Sequence, residues 1–508
     1  MALSSVIRAR CFLHSKMLSA SKYYSQSYPQ SESSLNPQFT PECNPENEPY
    51  VDADSSTFNN TESDVSFSPS KEFVLDSNWT PWWKGGMRYH PGRCRVGIVR
   101  LPNNFVESAN AYLKEFYNLE PQKKVFELCK KLCDVLQYRP LPVGLDKHSN
   151  KKSNKNWTLT KQDILNLNYE MTAEEKIDIE KKRFRMSLWR QIVYDRLNCV
   201  AYLIGRAPAA YAATVRVLIE IKRRDRIFRP KSMLDYGSGT GTAVWAANSV
   251  FGKDIEDFMC VDWSQCMNQT SQFLLSGGGD DAELSGIYIR PMLPLSYKHT
   301  YDIVVAAYTL SELPSEKERL TTLKILWEKT NKYLVIIEQG NRPGYHMIME
   351  ARNLIAHGIE GADLSKKRRS NSKINKGHIF APCPHSKPCP KFQGNPCNFT
   401  QSYIPPLYAK KFHGKEGAVQ ETFTYIVLSK KKPQNPEWPR VITNPQGSLK
   451  KMWCHLCTHE GQIEHLYLKK DKYGSDIRRI VKNSVAGDRL PYQKPNKYNH
   501  NSIEDEGE

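Results

Sequence analysis

The first 31 residues of this chain contain no Asp or Glu. They carry Arg8, Arg10, Lys16 and Lys22 among serines and scattered Leu, Ile and Phe, and they lack the unbroken apolar core of a secretory signal. A basic, Ser-rich, acid-free N-terminus predicts a mitochondrial transit peptide at 1–24, and so a protein of the mitochondrial matrix. Long hydrophobic runs are also missing. The most apolar stretch, 199–221, is interrupted by Arg206 and Arg216, so no membrane span is expected. There is no internal repeat, and the 13 cysteines do not follow a small secreted framework. Cys129, Cys133, Cys199, Cys260 and Cys266 lie in apolar or helical contexts, as buried thiols of a reducing compartment do. Acid is scarce overall: 72 Lys and Arg face 54 Asp and Glu, a net charge of +18. Such a field favours a polyanion, either nucleic acid or an anionic membrane surface.

What is present divides the chain. Residues 25–75 are rich in Ser, Pro, Asn and Glu and read as a disordered linker. Trp79, Trp82 and Trp83 then announce something that packs, either on the domain or on a partner. The pattern over 76–225 predicts a helical region, including a mixed-charge helix over 174–196. Its last part, 200–218, is apolar nearly all round and should be buried. Lys-rich 151–155 reads as an exposed loop. Short apolar runs at 232–236, 258–262, 301–307 and 333–338 alternate with helical intervals, which predicts buried parallel strands with crossover helices. A further strand is expected at 422–429.

The first of these strands leads into Met233-Leu-Asp-Tyr-Gly-Ser-Gly-Thr-Gly-Thr242. Gly237, Gly239 and Gly241 at a strand-to-helix turn let backbone amides approach a ligand. Asp235 would oppose a pyrophosphate but suits the cationic sulfonium and ammonium of S-adenosylmethionine. Asp262, ending the second strand, fits an acid that accepts both ribose hydroxyls, with Trp263 beside it as a wall for the adenine. Where base methyltransferases carry Asn/Asp-Pro-Pro-aromatic, this chain reads Ala306-Ala-Tyr-Thr-Leu-Ser-Glu312, with no Pro-Pro pair and no nucleophilic cysteine. Catalytic residues are therefore unassigned. Glu312 and Glu338 either face the pocket or cap helices and pair with arginines.

A second signal is Cys383, Cys389 and Cys397, spaced C-x5-C-x7-C among prolines that cannot continue a helix or central strand. Structural zinc sites use closer pairs. Cys-Pro repeats in an irregular loop are more like iron–sulfur ligation, which takes four thiolates. Zinc and an inert thiol cluster are the alternatives. A fourth thiolate has to come from elsewhere, and Cys454 and Cys457 are available, with His378 and His385 in reserve. Basic runs recur around the loop, at 366–369, 410–411, 430–432, 450–451 and 478–479. A rigid loop would hold them as a phosphate-contacting surface.

Several pieces together resemble the ribosomal small-subunit methyltransferase-like family in its mitochondrial branch, over about 201–479. They are Ala201-Tyr-Leu with Arg206-Ala-Pro-Ala, Leu234-Asp-Tyr-Gly-Ser-Gly-Thr-Gly with Trp245-Ala-Ala, and Tyr308-Thr-Leu-Ser-Glu-Leu313. The others are Ile337-Glu-Gln-Gly-Asn-Arg-Pro-Gly344, Ala381-Pro-Cys-Pro-His385 with Cys389-Pro, Cys397-Asn-Phe-Thr-Gln401, and Leu456-Cys-Thr-His-Glu-Gly461. The resemblance implies a class I methyltransferase (Rossmann-like) α/β fold, a 4Fe-4S cluster on Cys383, Cys389 and Cys397, and association with the maturing mitochondrial small ribosomal subunit. Its hydrophobic-Cys-x3-Gly register favours Cys457 as fourth ligand, with Cys454 the alternative. Asn398 and Ser402 stand where the family often has His and Arg.

The expected organisation is thus a helical region at 76–225 and a methyltransferase-like domain at 226–430 with a cysteine-rich insertion near 361–410. A basic extension at 431–482 would complete the metal site, and a disordered tail would follow at 483–508. The expected function is assembly of the mitochondrial small ribosomal subunit through ribosomal RNA and ribosomal proteins, in support of mitochondrial translation. An active ribosomal RNA methyltransferase and a stable ribosomal protein are the rival readings.

Overall fold

The computed structural model describes residues 74–75, 89–141 and 191–493, apart from gaps at 119, 279–284, 294–298, 365–374, 393, 414–416, 435–436, 471 and 473–474. The expected transit peptide, most of the linker, the three tryptophans, the 151–155 loop, most of the 174–196 helix and the 366–369 basic run lie outside the described residues.

A short strand β1 (Val74–Leu75) precedes helices α1 (Asn103–Tyr117), α2 (Gln122–Tyr138), α3 (Arg196–Gly205) and α4 (Ala207–Arg224). The alternating region follows: β2 (Ser232–Tyr236), α5 (Thr242–Phe251), β3 (Asp257–Val261), α6 (Gln265–Leu275), β4 (Ile287–Arg290), β5 (Tyr301–Ala307), α7 (Glu316–Lys329), β6 (Thr330–Gln339) and α8 (Arg342–His357). Then come β7 (His378–Ala381), β8 (Phe399–Tyr403), α9 (Leu407–His413) and β9 (Val419–Ser429). The C-terminal part holds β10 (Arg440–Val441), β11 (Gln446–Gly447), β12 (Lys451–Cys457), β13 (Ile463–Lys469), α10 (Ser475–Lys482) and β14 (Tyr492–Gln493), the last paired with β1.

The main sheet runs β4-β3-β2-β5-β6-β9-β7, with β8 also on β9. Strands β2 to β6 are parallel, and β9 is antiparallel to β6 and to both β7 and β8. Side chains alternate between two cores. Ile303, Val305, Val335, Ile337 and Tyr425 face a layer made by α1–α5, whereas Val304, Ala306, Leu334, Ile336 and Ile426 face α7 and α8. Burial on both faces explains why these strands read as continuous apolar runs. Helix α4 is buried over most of its length, as its all-round apolarity predicts, with Lys222, Arg223 and Arg224 in its last turn, where cations suit the helix dipole. The ends of the covering helices are set by local chemistry. Ser264, Ser315 and Asn341 accept from Met267, Glu318 and Gly344 amides, and Gly358 closes α8 in the left-handed region.

β7 and β8 lie one after the other along the same side of β9, opposite 427–429 and 419–423 respectively. The cysteine loop, 382–398, is thus an excursion from an interrupted edge strand. The C-terminal strands form a separate sheet, ordered β10-β12-β11 with β13 on β12, which packs on α10 through Met452, Cys454, Leu456, Leu466, Ile477 and Ile480. Buried Glu220 of α4 anchors this lobe. Its carboxylate accepts from Arg440 at 2.8 Å, Arg224 at 3.0 Å and Tyr425 at 2.8 Å.

One expectation is corrected. Residues 483–491, read as the start of a disordered tail, are packed. Asp488 is fully buried, and its carboxylate accepts from the Cys94, Arg95 and Val485 amides. A sequence-local reading sees a polar segment here and cannot see three amides, two of them distant in sequence, that need an acceptor.

Candidate functional site

The first cavity, about 560 Å³, opens at the C-terminal ends of β2, β3 and β5. That is where doubly wound sheets bind ligands, and the volume is in the usual range for a small-molecule site. Gly237, Gly239 and Gly241 all have positive φ (73°, 52° and 75°), so each adopts a conformation that side-chain-bearing residues avoid. A Cβ on Gly237 would also run into Thr309. Gly237 and Gly239 line the cavity, while Gly241 begins α5.

Asp262 lines the cavity, yet both its oxygens already accept backbone amides, Gly239 N at 2.9 Å and Ser264 N at 2.8 Å. It ties the glycine loop to the end of β3 and keeps one lone pair per oxygen for a ligand. Burial raises its carboxyl above the ordinary range, against the pull of those two amides. Asp235 is not in the lining. It is buried on β2 with one oxygen lacking any hydrogen-bond partner, and burial, with Asp262 nearby, pushes it up to about 8. An orphaned buried carboxyl is costly unless it stays protonated or meets a cation. Trp263 lies exposed at the rim.

The two glutamates part ways. Glu312 lines the cavity and is also held, by Arg139 at 2.8 Å and by the Tyr194 hydroxyl, which donates at 3.1 Å. Glu338 is fully buried. It accepts from the Leu310 amide at 2.7 Å, and burial pushes it up to about 7. Tyr308 occupies the strand-end position where an acceptor motif was sought. Its φ is +57°, and its hydroxyl donates to Glu421 at 2.8 Å. Glu421 is in turn gripped by Arg206 at 2.9 and 3.2 Å, and the Arg206 guanidinium lies 5.0 Å from the Tyr308 ring centroid. Sequence reasoning missed Tyr194 and Arg139, which reach the site from outside the sheet and carry no local motif, and gave no role to Tyr202, which stood inside a matching segment. Arg206 and Tyr308 stood inside matching segments without an assigned role.

The cavity lining among the described residues holds two carboxylates, Asp262 and Glu312, and no Lys or Arg. A pyrophosphate would meet no cation there. The ammonium and sulfonium of S-adenosylmethionine suit such a lining.

The second cavity, about 30 Å³, is ringed by Cys383, Cys389, Cys397 and Cys457. All four are free thiols. The Tyr345 hydroxyl donates to Cys389 Sγ at 3.0 Å, and His385 Nε2 lies 3.3 Å from Cys457 Sγ. Burial and the Arg352 charge lower His385 to about 4. The ring is neutral at pH 7, and with Nδ1–H donating to Lys387 O at 3.1 Å, Nε2 accepts from the thiol. Arg352 and Arg440 pin the loop by donating to the carbonyls of Lys387 and Pro382. Burial pushes Cys397 up to about 12 and raises Cys383 and Cys457, with the neighbouring thiols adding to it. With Cys383, Cys397 and Cys457 held protonated around one space, these thiols become thiolates readily only beside a cation.

Cys454 lies in the lobe core, on the opposite face of β12 from Cys457. His378 starts β7, is exposed and does not line the thiol cavity. Among the described residues no three His, Cys, Asp or Glu side chains are grouped as for a single metal ion.

Strand order and direction define a doubly wound, Rossmann-like α/β protein with a mixed sheet, the plan of S-adenosylmethionine methyltransferases. Residues 196–491 match the family described as mitochondrial small ribosomal subunit Rsm22, and the chain belongs to that family. It is 31% identical to the human ribosome assembly protein METTL17, mitochondrial, over 426 residues, covering 83% of this chain and 89% of that one. It is 25% identical to Rsm22-cox11 tandem protein 2, mitochondrial, of Schizosaccharomyces pombe, covering 58% of this chain and 43% of that one. Among solved structures, magnesium protoporphyrin IX methyltransferase from Synechocystis is 11% identical with a TM-score of 0.26, covering 54% of this chain and 100% of that one. A SAM-dependent methyltransferase from Aquifex aeolicus is 16% identical with a TM-score of 0.21, covering 29% and 74%. At scores this low the strand order, and not these likenesses, defines the fold. No helix among the described residues is long and apolar enough to cross a membrane.

Proposed function

We propose that this chain assists assembly of the mitochondrial small ribosomal subunit in the matrix, binding its ribosomal RNA and proteins. In this reading it holds S-adenosylmethionine in the larger cavity and a 4Fe-4S cluster on Cys383, Cys389, Cys397 and Cys457. Family membership, the mitochondrial relatives and the acid-free N-terminus support the setting. The observation that carries the metal reading is the convergence of three loop thiols and one thiol from a different sheet on a single cavity. A multi-iron cluster takes four thiolates spread around it and would fasten the C-terminal lobe to the main sheet.

The cofactor reading rests on the glycine loop, on Asp262 and on a lining without basic side chains. Methyl transfer is less well supported than binding, because the Tyr308 hydroxyl at the acceptor position is engaged by Glu421. The deciding experiment is anaerobic purification with iron, sulfide and zinc analysis and a visible absorption spectrum. About four irons per chain with charge-transfer absorption is the expected result. Stoichiometric zinc without iron would sink the metal reading. RNA affinity that falls steeply with salt is expected of phosphate-dominated binding, and neutralising Lys366, Lys367, Arg368 and Arg369 should flatten that dependence.

A further inference from the structure

The outward face of the β12–β13 hairpin, apart from Cys457 at its end, has a composition that neither cavity uses. β12 and β13 pair Lys451 with Lys469, Trp453 with Tyr467, His455 with His465, and Cys457 with Ile463. Side chains of a strand alternate between faces, so these pairs share one surface. The intervening residues, Met452, Cys454, Leu456, Leu466 and Leu468, fill the lobe core beneath. The front is half-buried to exposed throughout, with Lys451, Tyr467 and Lys469 exposed.

The rungs form a gradient. Lys451 and Lys469 stand at one end, and the Lys450 carbonyl accepts from the Lys470 amide there, which brings two more lysines to the same edge. Next come the two aromatics. Lys469 Nζ lies 5.7 Å from the Tyr467 ring centroid. The Trp453 ring lies against β11, where Gly447 leaves it room: a Cβ there would be 3.0 Å from Trp453 Cζ3. Then come His455 and His465, with ring nitrogens 3.3 Å apart. The last rung is Cys457, at the thiol cavity.

We infer that this face is a stacking platform for a single-stranded RNA segment, with Trp453 and Tyr467 each carrying an unpaired base and Lys451 and Lys469 taking the adjoining phosphates. The proposal rests on the RNA-binding reading above and names its surface. Two arguments on the structure select this occupant. Aromatic rings presented beside lysines on a sheet that has its own core behind it are what unpaired bases stack on. The charge is complementary to phosphate and not to apolar or basic protein surface, within a chain carrying +18 overall. The platform ends at Cys457, so whatever fixes the four thiols also fixes the far end of the hairpin.

The test uses the full chain and a labelled oligouridine of about 12 nucleotides, within the span that single-strand-binding domains occupy. Trp453→Ala and Tyr467→Ala should each weaken binding about 5- to 150-fold, the range for losing one base–aromatic stack. Trp453→Phe should retain most of the affinity, because a ring remains. Lys451→Gln with Lys469→Gln should make the salt dependence shallower, and a blunt duplex of the same length should bind more weakly than the single strand. Circular dichroism and the thermal transition establish that each variant is folded. A folded Trp453→Ala, Tyr467→Ala double variant that binds as tightly as the parent overturns the platform and leaves the RNA reading standing with its surface elsewhere. A parent chain that binds no RNA at low salt overturns both.

Discussion

The larger cavity is walled chiefly by backbone turns and strand ends of one sheet, the smaller by side chains drawn from two sheets. Around the larger, three positive-φ glycines, the Asp262 carboxylate and the end of β5 are placed by parallel strands buried on both faces. That frame exists before any ligand arrives. Around the smaller, the loop 382–398 leaves an interrupted edge strand, has little core of its own and meets Cys457 across a lobe boundary. Its thiols are half-buried and mutually repulsive as thiolates, and without a cation those of Cys383, Cys397 and Cys457 stay protonated. One site is organised by the fold. In the proposed reading, the other is organised by what it binds.

The sharpest way to break this contrast is to remove a thiol. Cys383→Ser, Cys397→Ser and Cys457→Ser should each lose iron and destabilise the loop and lobe by several kcal/mol, because metal-binding free energy is folding free energy. S-adenosylmethionine affinity should change little. Cys454→Ser should keep its iron, since that side chain faces the lobe core. Iron analysis with limited proteolysis checks all four, and iron loss in Cys454→Ser alone would reverse the assignment of the fourth ligand.

Next in size is Glu220→Gln. Burial opposes ionisation of Glu220, but Arg440, Arg224 and Arg216 outweigh it and hold the carboxyl well below its ordinary value. Removing that charge leaves buried guanidiniums without their partner, which should cost about 3–5 kcal/mol in urea unfolding. Because the folded pKa is depressed, the stabilisation is present above the ordinary carboxylate range. It is lost progressively as pH falls from that range through the lower folded value.

Asp262→Ala should weaken S-adenosylmethionine binding by about 1.5–3 kcal/mol, the range for hydrogen bonds to a charged group. It also frees the Gly239 and Ser264 amides, so part of the loss should appear as a looser glycine loop. Calorimetry on the variant decides, and unchanged affinity would place the ribose elsewhere.

The smallest effect per pH unit is a slope. Asp235 rises from an ordinary 3.8 to about 8, so between about pH 4 and 8 the folded state holds a proton that the unfolded state has released. Stability should therefore fall as pH rises through that window, by at most about 1.4 kcal/mol per pH unit. Asp235→Asn should flatten the slope. Saturating S-adenosylmethionine should flatten it too if its cation lies near Asp235, because a neighbouring positive charge lowers a carboxyl pKa. Thermal unfolding across the window, with and without cofactor, reads both.

How much was legible depended on range. β2, β3, β5, β6 and β9 announce themselves as apolar runs, and the glycine triplet marks its own turn. β12 is hard to read as a strand because Trp453 and Cys457, at outward positions, blur the polar–apolar alternation of Lys451 to Cys457. β7 and β8 are too short, and too interrupted by the loop, to carry a pattern. Asp262 was identified by its position, but its grip on two amides is a matter of tertiary distance, and so are the Arg139–Glu312 and Arg206–Glu421–Tyr308 contacts.

The amino-acid sequence by itself determined the central strands, the glycine turn and the three loop thiols, because each is written in contiguous residues whose local geometry follows from side-chain period, φ freedom and ring constraint. Only the tertiary structure decided that Cys457 and not Cys454 meets those thiols. It also decided that the Tyr308 hydroxyl is spent on Glu421, and that residues 483–491 pack. These depend on which face of a strand is turned inward and on which distant groups must satisfy one another once buried, and neither is fixed until the sheets have been assembled.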